Sequence, residues 1–223
     1  MIDKRAISLI ILSILFLSYG CKMKEFKEIK FKTSDNAEIE GSLFCSKTTD
    51  SGVVLVHGMV FNRESWYDFA GRLADEGFCA LAINLRGYGN SIVGEKGKDV
   101  MYPDVLGAVQ YLKDMGIENI AVVGGSMGAL ASIDAVIEDK KKEIKKLVLL
   151  SPPPHPDIEK ISIPTLFAYS KDERLAGKIK EMYNEMSCNK EIAVFDGNAH
   201  AQHIFKTENK KALEDKIVAF LNE

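Results

Sequence analysis

The chain has 223 residues, 46% of them apolar and 27% charged, with a formal net charge of -3. That size and balance suit one globular domain with a substantial core. The slight acidity gives no reason to expect nucleic-acid binding, which usually needs a basic patch, and the sequence carries no repeat, low-complexity linker, dinucleotide fingerprint or phosphate-binding glycine loop.

Lys4 and Arg5 precede an apolar run from Ala6 to Leu17. A basic start followed by a short apolar run is the pattern of a secretory signal, and the run is short for a spanning helix, which needs about 20 residues. It closes on Leu17-Ser18-Tyr19-Gly20-Cys21. Gly followed by Cys at this place resembles the lipobox of bacterial lipoproteins, although Ser18 stands where Leu is commonest and Tyr19 is bulky for its position. The resemblance implies cleavage before Cys21, its lipidation, and a membrane-anchored protein of the bacterial cell envelope. An uncleaved anchor and an ordinary signal cut nearby are the alternatives. The expected organisation is therefore a signal over 1–20, a tether over 21–25 and one domain over 26–223. Of the three cysteines that remain, Cys79 falls in an apolar strand and reads as a small buried hydrophobe. A Cys45–Cys188 disulfide stays open, and no pair has metal-ligand spacing.

Phe26 to Thr33 and Ala37 to Phe44 alternate apolar and polar residues around Ser34-Asp35-Asn36, which predicts a β-hairpin. Gly52 to Val56 is a continuous apolar run, as in a central strand covered on both faces. It ends in His57-Gly58-Met59, where a glycine permits a sharp turn that frees the next N–H to face a cleft. His57 reads mainly as a structural residue that holds this loop by a side-chain hydrogen bond. With Phe61 it is also a candidate for the substrate-binding surface. Glu64 to Glu76 has a helical apolar stripe capped by Gly77, and Phe78 to Leu85 is the next buried strand. The glycine-punctuated loop Arg86-Gly87-Tyr88-Gly89-Asn90-Ser91 follows, and then a helix from Tyr102 to Met115 with Pro103 in its first turn.

Ile120 to Val123 predicts a strand and Met127 to Ile137 a helix, and Gly124-Gly125-Ser126-Met127-Gly128 lies between them. A serine on such a strand-to-helix turn is lifted clear of the sheet. Its flanking glycines are needed because a Cβ would collide with the neighbouring strand or helix. The N–H groups of Met59 and Met127 would then form an oxyanion hole. Ile144 to Leu150 is another strand, and Ser151-Pro152-Pro153-Pro154-His155-Pro156 after it leaves little room for a lid. His155 reads as an exposed loop residue. Pro164 to Tyr169 leads into Ser170-Lys171-Asp172, where Asp172 is either a helix N-cap or an acid at a strand end. Glu191 to Phe195 leads into Asp196-Gly197-Asn198-Ala199-His200, and the last helix is expected over Thr207 to Leu221, with His203 at its start. Ser126, Asp172 and His200 thus each follow a separate strand, in the chain order of one enzyme architecture.

From about Phe26 onward the sequence resembles the α/β-hydrolase family, particularly its small lidless carboxylesterases and dienelactone-hydrolase-like members. The carrying motifs are Val56-His57-Gly58-Met59, Asn84-Leu85-Arg86-Gly87-Tyr88-Gly89-Asn90-Ser91, Gly124 to Gly128, Ser170-Lys171-Asp172 and Gly197-Asn198-Ala199-His200. Two residues depart from the pattern: Asn84 replaces the usual Asp, and Ala201 stands where Gly is frequent. The resemblance implies an α/β fold with a mostly parallel sheet, an antiparallel N-terminal hairpin, helices on both faces and no large lid. It also implies Ser126 as nucleophile, His200 as base and Asp172 as orienting acid, acting on esters without metal or cofactor, and an apolar lining of Met59, Phe61 and Met127 would suit short or medium acyl chains. A peptidase, amidase or thioesterase on the same triad, or a non-catalytic surface-anchored binding protein, is the alternative.

Overall fold

The computed structural model describes residues 25–46 and 48–223. The signal, Cys21 and most of the tether lie outside the described residues. Eight strands form one sheet in the order β1-β2-β4-β3-β5-β6-β7-β8. β1 (Lys27–Lys32) and β2 (Glu38–Phe44) make the expected antiparallel hairpin, and β2 also pairs antiparallel with β4 (Cys79–Ile83). All other pairings are parallel: β3 (Ser51–Val56) with β4 and β5 (Asn119–Gly125), then β6 (Ile144–Leu150), β7 (Thr165–Ser170) and β8 (Lys190–Phe195). β2 is thus the one strand that runs against the rest.

The apolar strands are covered on both faces. Helix α2 (Tyr102–Asp114), α3 (Met127–Glu138) and α4 (Ala176–Glu185) pack on one side through Val105, Leu112, Ile133 and Ile179. Helix α1 (Tyr67–Asp75) and α5 (Lys210–Asn222) pack on the other through Phe69, Leu73, Leu213 and Ile217. Strands buried on both faces need an unbroken apolar run, which is why β3 to β5 and the 147–150 end of β6 read so plainly. Helix α1 is shorter than the stripe predicts, because a 3-10 turn over Arg63–Trp66 precedes it. The last helix also starts late, after a 3-10 turn over Ala201–Lys206 that contains His203. Between β6 and β7 there is only a short 3-10 turn, Ile158–Lys160, so among the described residues no inserted lid covers the sheet's carboxyl end from that side.

The cysteines differ from expectation. Cys45 and Cys79 are joined as a disulfide, with Cα atoms 4.5 Å apart, and Cys188 is free. The pairing follows from register: Phe44 lies opposite Ala80, and the next step outward puts Cys45 opposite Cys79. Cys79 is buried as its strand predicts, but as a cross-strand tie, and pairing of Cys45 with Cys188 is ruled out.

Candidate active site

The chain passes from β4 over β3 to β5, so the order of connection reverses between β3 and β5. Ligand sites in open parallel sheets form outside the carboxyl ends of the strands at such a reversal. Here that position is taken by His57-Gly58-Met59 after β3 and Ser126 after β5. Ser126 has φ 50° and ψ -113°, a backbone conformation that L residues rarely adopt. It is held there because its N–H donates to the Leu150 carbonyl (2.9 Å) and its carbonyl accepts from Ala129 N (2.9 Å). The flanking glycines are sterically required. A Cβ on Gly124 would lie 2.5 Å from the Gly128 carbonyl oxygen, and one on Gly128 would lie 2.6 Å from the His57 carbonyl oxygen.

His200 lies in a loop after β8, and its Nε2 is 2.9 Å from Ser126 Oγ. On the other side of the ring, Nδ1 is 2.5 Å from Glu173 Oε2. A carboxylate only accepts, so Nδ1 carries the proton and Nε2 is left to accept from the serine hydroxyl. The acid facing the imidazole is therefore Glu173 and not Asp172, which is exposed to solvent. The reason is the tight turn after β7. The Asp172 N–H donates to the Gly197 carbonyl (3.0 Å) and the Glu173 N–H to the Ser170 carbonyl (3.2 Å), which leaves the Glu173 side chain facing inward. Glu173 is buried, and its Oε1 accepts from Ser151 Oγ (2.6 Å) and from Ser170 N (3.2 Å). Ser151, itself buried at φ 45°, also accepts from Ala201 N (2.8 Å), so one hydroxyl fixes both the acid and the loop that carries the base.

Met127 is the first residue of α3, and its N–H has no carbonyl one turn behind it to accept it, so it is free for an incoming oxygen. Met59 lies in the turn closed by the Phe61 N–H to Gly58 carbonyl bond (3.0 Å), and its side chain is 66% exposed. Gly58 backs directly onto the nucleophile: a Cβ there would be 3.5 Å from that of Ser126. The Gly58 N–H donates to Gln202 Oε1 (2.7 Å), and Gln202 Nε2 donates to Ser65 Oγ (2.5 Å). Gln202 is buried and ties the loop after β3 to the loop of His200. No motif in the sequence marks it.

His57 is not a substrate contact. It is fully buried, its Nδ1 donates to the Gly58 carbonyl (2.9 Å), and its Nε2 accepts from Leu85 N (3.1 Å). Burial pushes its pKa down to about 4, so it is a neutral strut between two loops. Phe61 is half-buried, with its ring 4.8 Å from that of His203. His203 is exposed and has no bond to Ser126, and His155 is largely covered rather than exposed, bonded to Asp134 on α3 (3.0 Å).

The matching family profile, described as alpha/beta hydrolase fold, covers residues 53–206. The chain belongs to the α/β-hydrolase family. A Bacillus subtilis (strain 168) protein described as AB hydrolase superfamily protein YisY is 30% identical over 101 residues, which are 44% of this chain and 37% of that protein. The chain therefore matches well under half the length of this relative. Among solved structures, the Pyrococcus furiosus esterase Pf2001 superposes with TM-score 0.75 at 24% identity, covering 89% of this chain and 92% of that one. The Exiguobacterium antarcticum esterase EaEST gives 0.73 at 15% identity over 88% and 100%. A Bacillus anthracis bromoperoxidase gives the same TM-score, 0.73, at 16% identity over 88% and 100%. At such identities the superpositions speak for the α/β-hydrolase fold alone.

Within this α/β-hydrolase, the residue at 84 has a local reason. Asn84 is buried, donates to Glu40 Oε1 (2.7 Å), and accepts from Arg63 N (2.8 Å). Glu40 is also buried, and a second carboxylate at 84 would face it as a like charge. The neighbouring Arg86 is buried against both Asp35 and Asp104 at 2.8 Å, which fixes the loop over 86–91. Its guanidinium holds the Asp35 carboxyl well below the usual range. Ala201 takes φ 50° where glycine is frequent, so the base-bearing loop keeps its left-handed turn despite the side chain. Among the described residues, no group of three or more His, Cys, Asp or Glu is placed to hold a metal ion.

Proposed function

We propose that this chain is a serine hydrolase that cleaves small carboxylic esters of short or medium acyl chains through an acyl-enzyme on Ser126. The observation that carries this reading is the unbroken chain of hydrogen bonds from Ser126 Oγ through His200 to Glu173, at 2.9 and 2.5 Å. His200 Nε2 takes the hydroxyl proton as Ser126 Oγ attacks the ester carbonyl. Glu173 fixes the ring tautomer and stabilises the imidazolium that forms. The N–H groups of Met59 and Met127 receive the oxyanion, and losing one such donor typically lowers the rate by about 10²–10³-fold. His200 then protonates the leaving alkoxide. In the second half-reaction it takes a proton from water, whose oxygen attacks the acyl carbonyl and restores Ser126. Met59, Phe61 and Met127 supply the apolar lining for the acyl group.

We further propose that the protein is exported and anchored through lipid on Cys21. Two features support this reading: the Gly20-Cys21 pattern and the Cys45–Cys79 disulfide, a bond that is rare in reducing compartments. The deciding experiment is labelling with a fluorophosphonate probe, followed by an ester chain-length series. Wild type labels and turns over esters, and Ser126→Ala and His200→Ala do neither. A folded wild type that takes no label and cleaves no ester, thioester or amide points instead to a binding protein.

A further inference from the structure

The domain is entered at the end opposite to its catalytic mouth. β1 is antiparallel to β2 and β2 to β4, so β1 runs in the same direction as β3 to β8 and begins at their amino ends. The register gives the heights. Phe44 lies opposite Ala80, Ala80 opposite Val53 and Val53 opposite Ala121. Phe26 sits at that level, its ring 5.0 Å from Phe44 and 4.7 Å from Tyr67, so the entering chain is pinned there. Ser126 is five residues beyond Ala121 along β5, which at the usual strand rise is about 17 Å higher. The loops of Met59, Val60 and Ile92, which leave β3 and β4, lie at the same upper end.

Only four residues lie between Cys21 and Phe26, five steps along the chain. Fully stretched they span at most about 18 Å, and as a flexible chain about 12 Å on average. To lay the mouth on a bilayer, the protein would have to hold Phe26 at least about 17 Å above the anchor, with the depth of the rim loops added. That uses the whole reach of the tether and nearly all of its conformational freedom.

We propose, resting on the anchored serine-hydrolase reading above, that the domain stands on its anchor end with Ser126 facing the aqueous phase. Its substrates are then water-borne esters with a short apolar portion, and not lipids of the membrane that holds it. The exposed side chains of Met59 (66%) and Val60 (77%) receive that apolar portion from solution.

The test uses the full lipidated chain in vesicles, with Ser126 labelled by a fluorescent fluorophosphonate. Headgroup-nitroxide lipids are then added to the vesicles. The expected result is unchanged emission from the labelled protein, and, for unlabelled protein prepared in parallel, turnover of a soluble short-chain ester at the same rate in vesicles and in detergent. Loss of emission overturns the proposal, as does preferred hydrolysis of the same acyl group presented on a phospholipid in the vesicle. Protein that labels but does not float with vesicles removes the anchor and so overturns the orientation. Protein that floats but does not label fails the serine-hydrolase reading, and the substrate assignment falls with it.

Discussion

Two adjacent carboxylates, at 172 and 173, have opposite surroundings, and exchanging each for its amide separates them. Glu173→Gln leaves the imidazole without its partner and in the wrong tautomer, so kcat should fall by about 10³–10⁴-fold, while Asp172→Asn should leave it unchanged. Steady-state kinetics on a soluble ester checks both. From the sequence, the serine and the histidine could be read because each stands alone on its loop among small neighbours. The acid could not, because successive residues in a tight turn point different ways and no period says which one faces inward. Gln202 was invisible for a related reason: its partner Gly58 is 144 residues away and only the fold brings them together. Gln202→Ala frees the Gly58 N–H and loosens the loop that carries Met59. The expected loss is about 10- to 100-fold in kcat with little change in KM, since substrate binding does not use this group. His57 makes a prediction of a different kind. Its folded pKa of about 4 lies below the ordinary 6.5, so the unfolded chain binds the proton more readily. Stability is therefore full above pH 6.5 and is lost as pH falls toward 4, by up to about 3 kcal/mol. Urea midpoints measured across that window should drop in wild type and flatten in His57→Gln.

At the level of elements, strand and helix order is legible almost throughout, because β3 to β5 and the 147–150 end of β6 are continuous apolar runs and the helices carry stripes of period 3.6. The boundaries that moved are those at 3-10 turns, Arg63–Trp66 and Ala201–Lys206, where a stripe continues but the winding tightens. The disulfide is not legible in the sequence because it depends on the register between β2 and β4, a pairing that closes 34 residues of chain, and cysteine spacing alone carries no such information. It ties the antiparallel hairpin to the parallel sheet at the rim where β2 leaves β4. Removing it in a Cys45→Ala/Cys79→Ala variant should lower unfolding free energy by about 3–4 kcal/mol, the value expected for a loop of that length. Denaturant titration of the oxidised wild type against the variant measures it, and reduced wild type should match the variant.

For the molecule as a whole, the short connection between β6 and β7 leaves the mouth uncovered among the described residues. Without a lid among the described residues, the site has no closed state to be opened by an interface. Its initial rates should follow a simple hyperbola as ester concentration passes the solubility limit, with no upward break, and a concentration series on one ester checks this. The cross-strand tie has one more consequence on the exported reading. Before the chain meets an oxidising compartment, Cys45 and Cys79 are separate thiols and the hairpin is held to the sheet by backbone bonds and packing alone. The precursor is then the less stable species, by about the same 3–4 kcal/mol that the bond later adds. On that reading, a chain exported in the unfolded state is served by the asymmetry: it is easier to keep open on the side where it is made, and it locks shut on the side where it works.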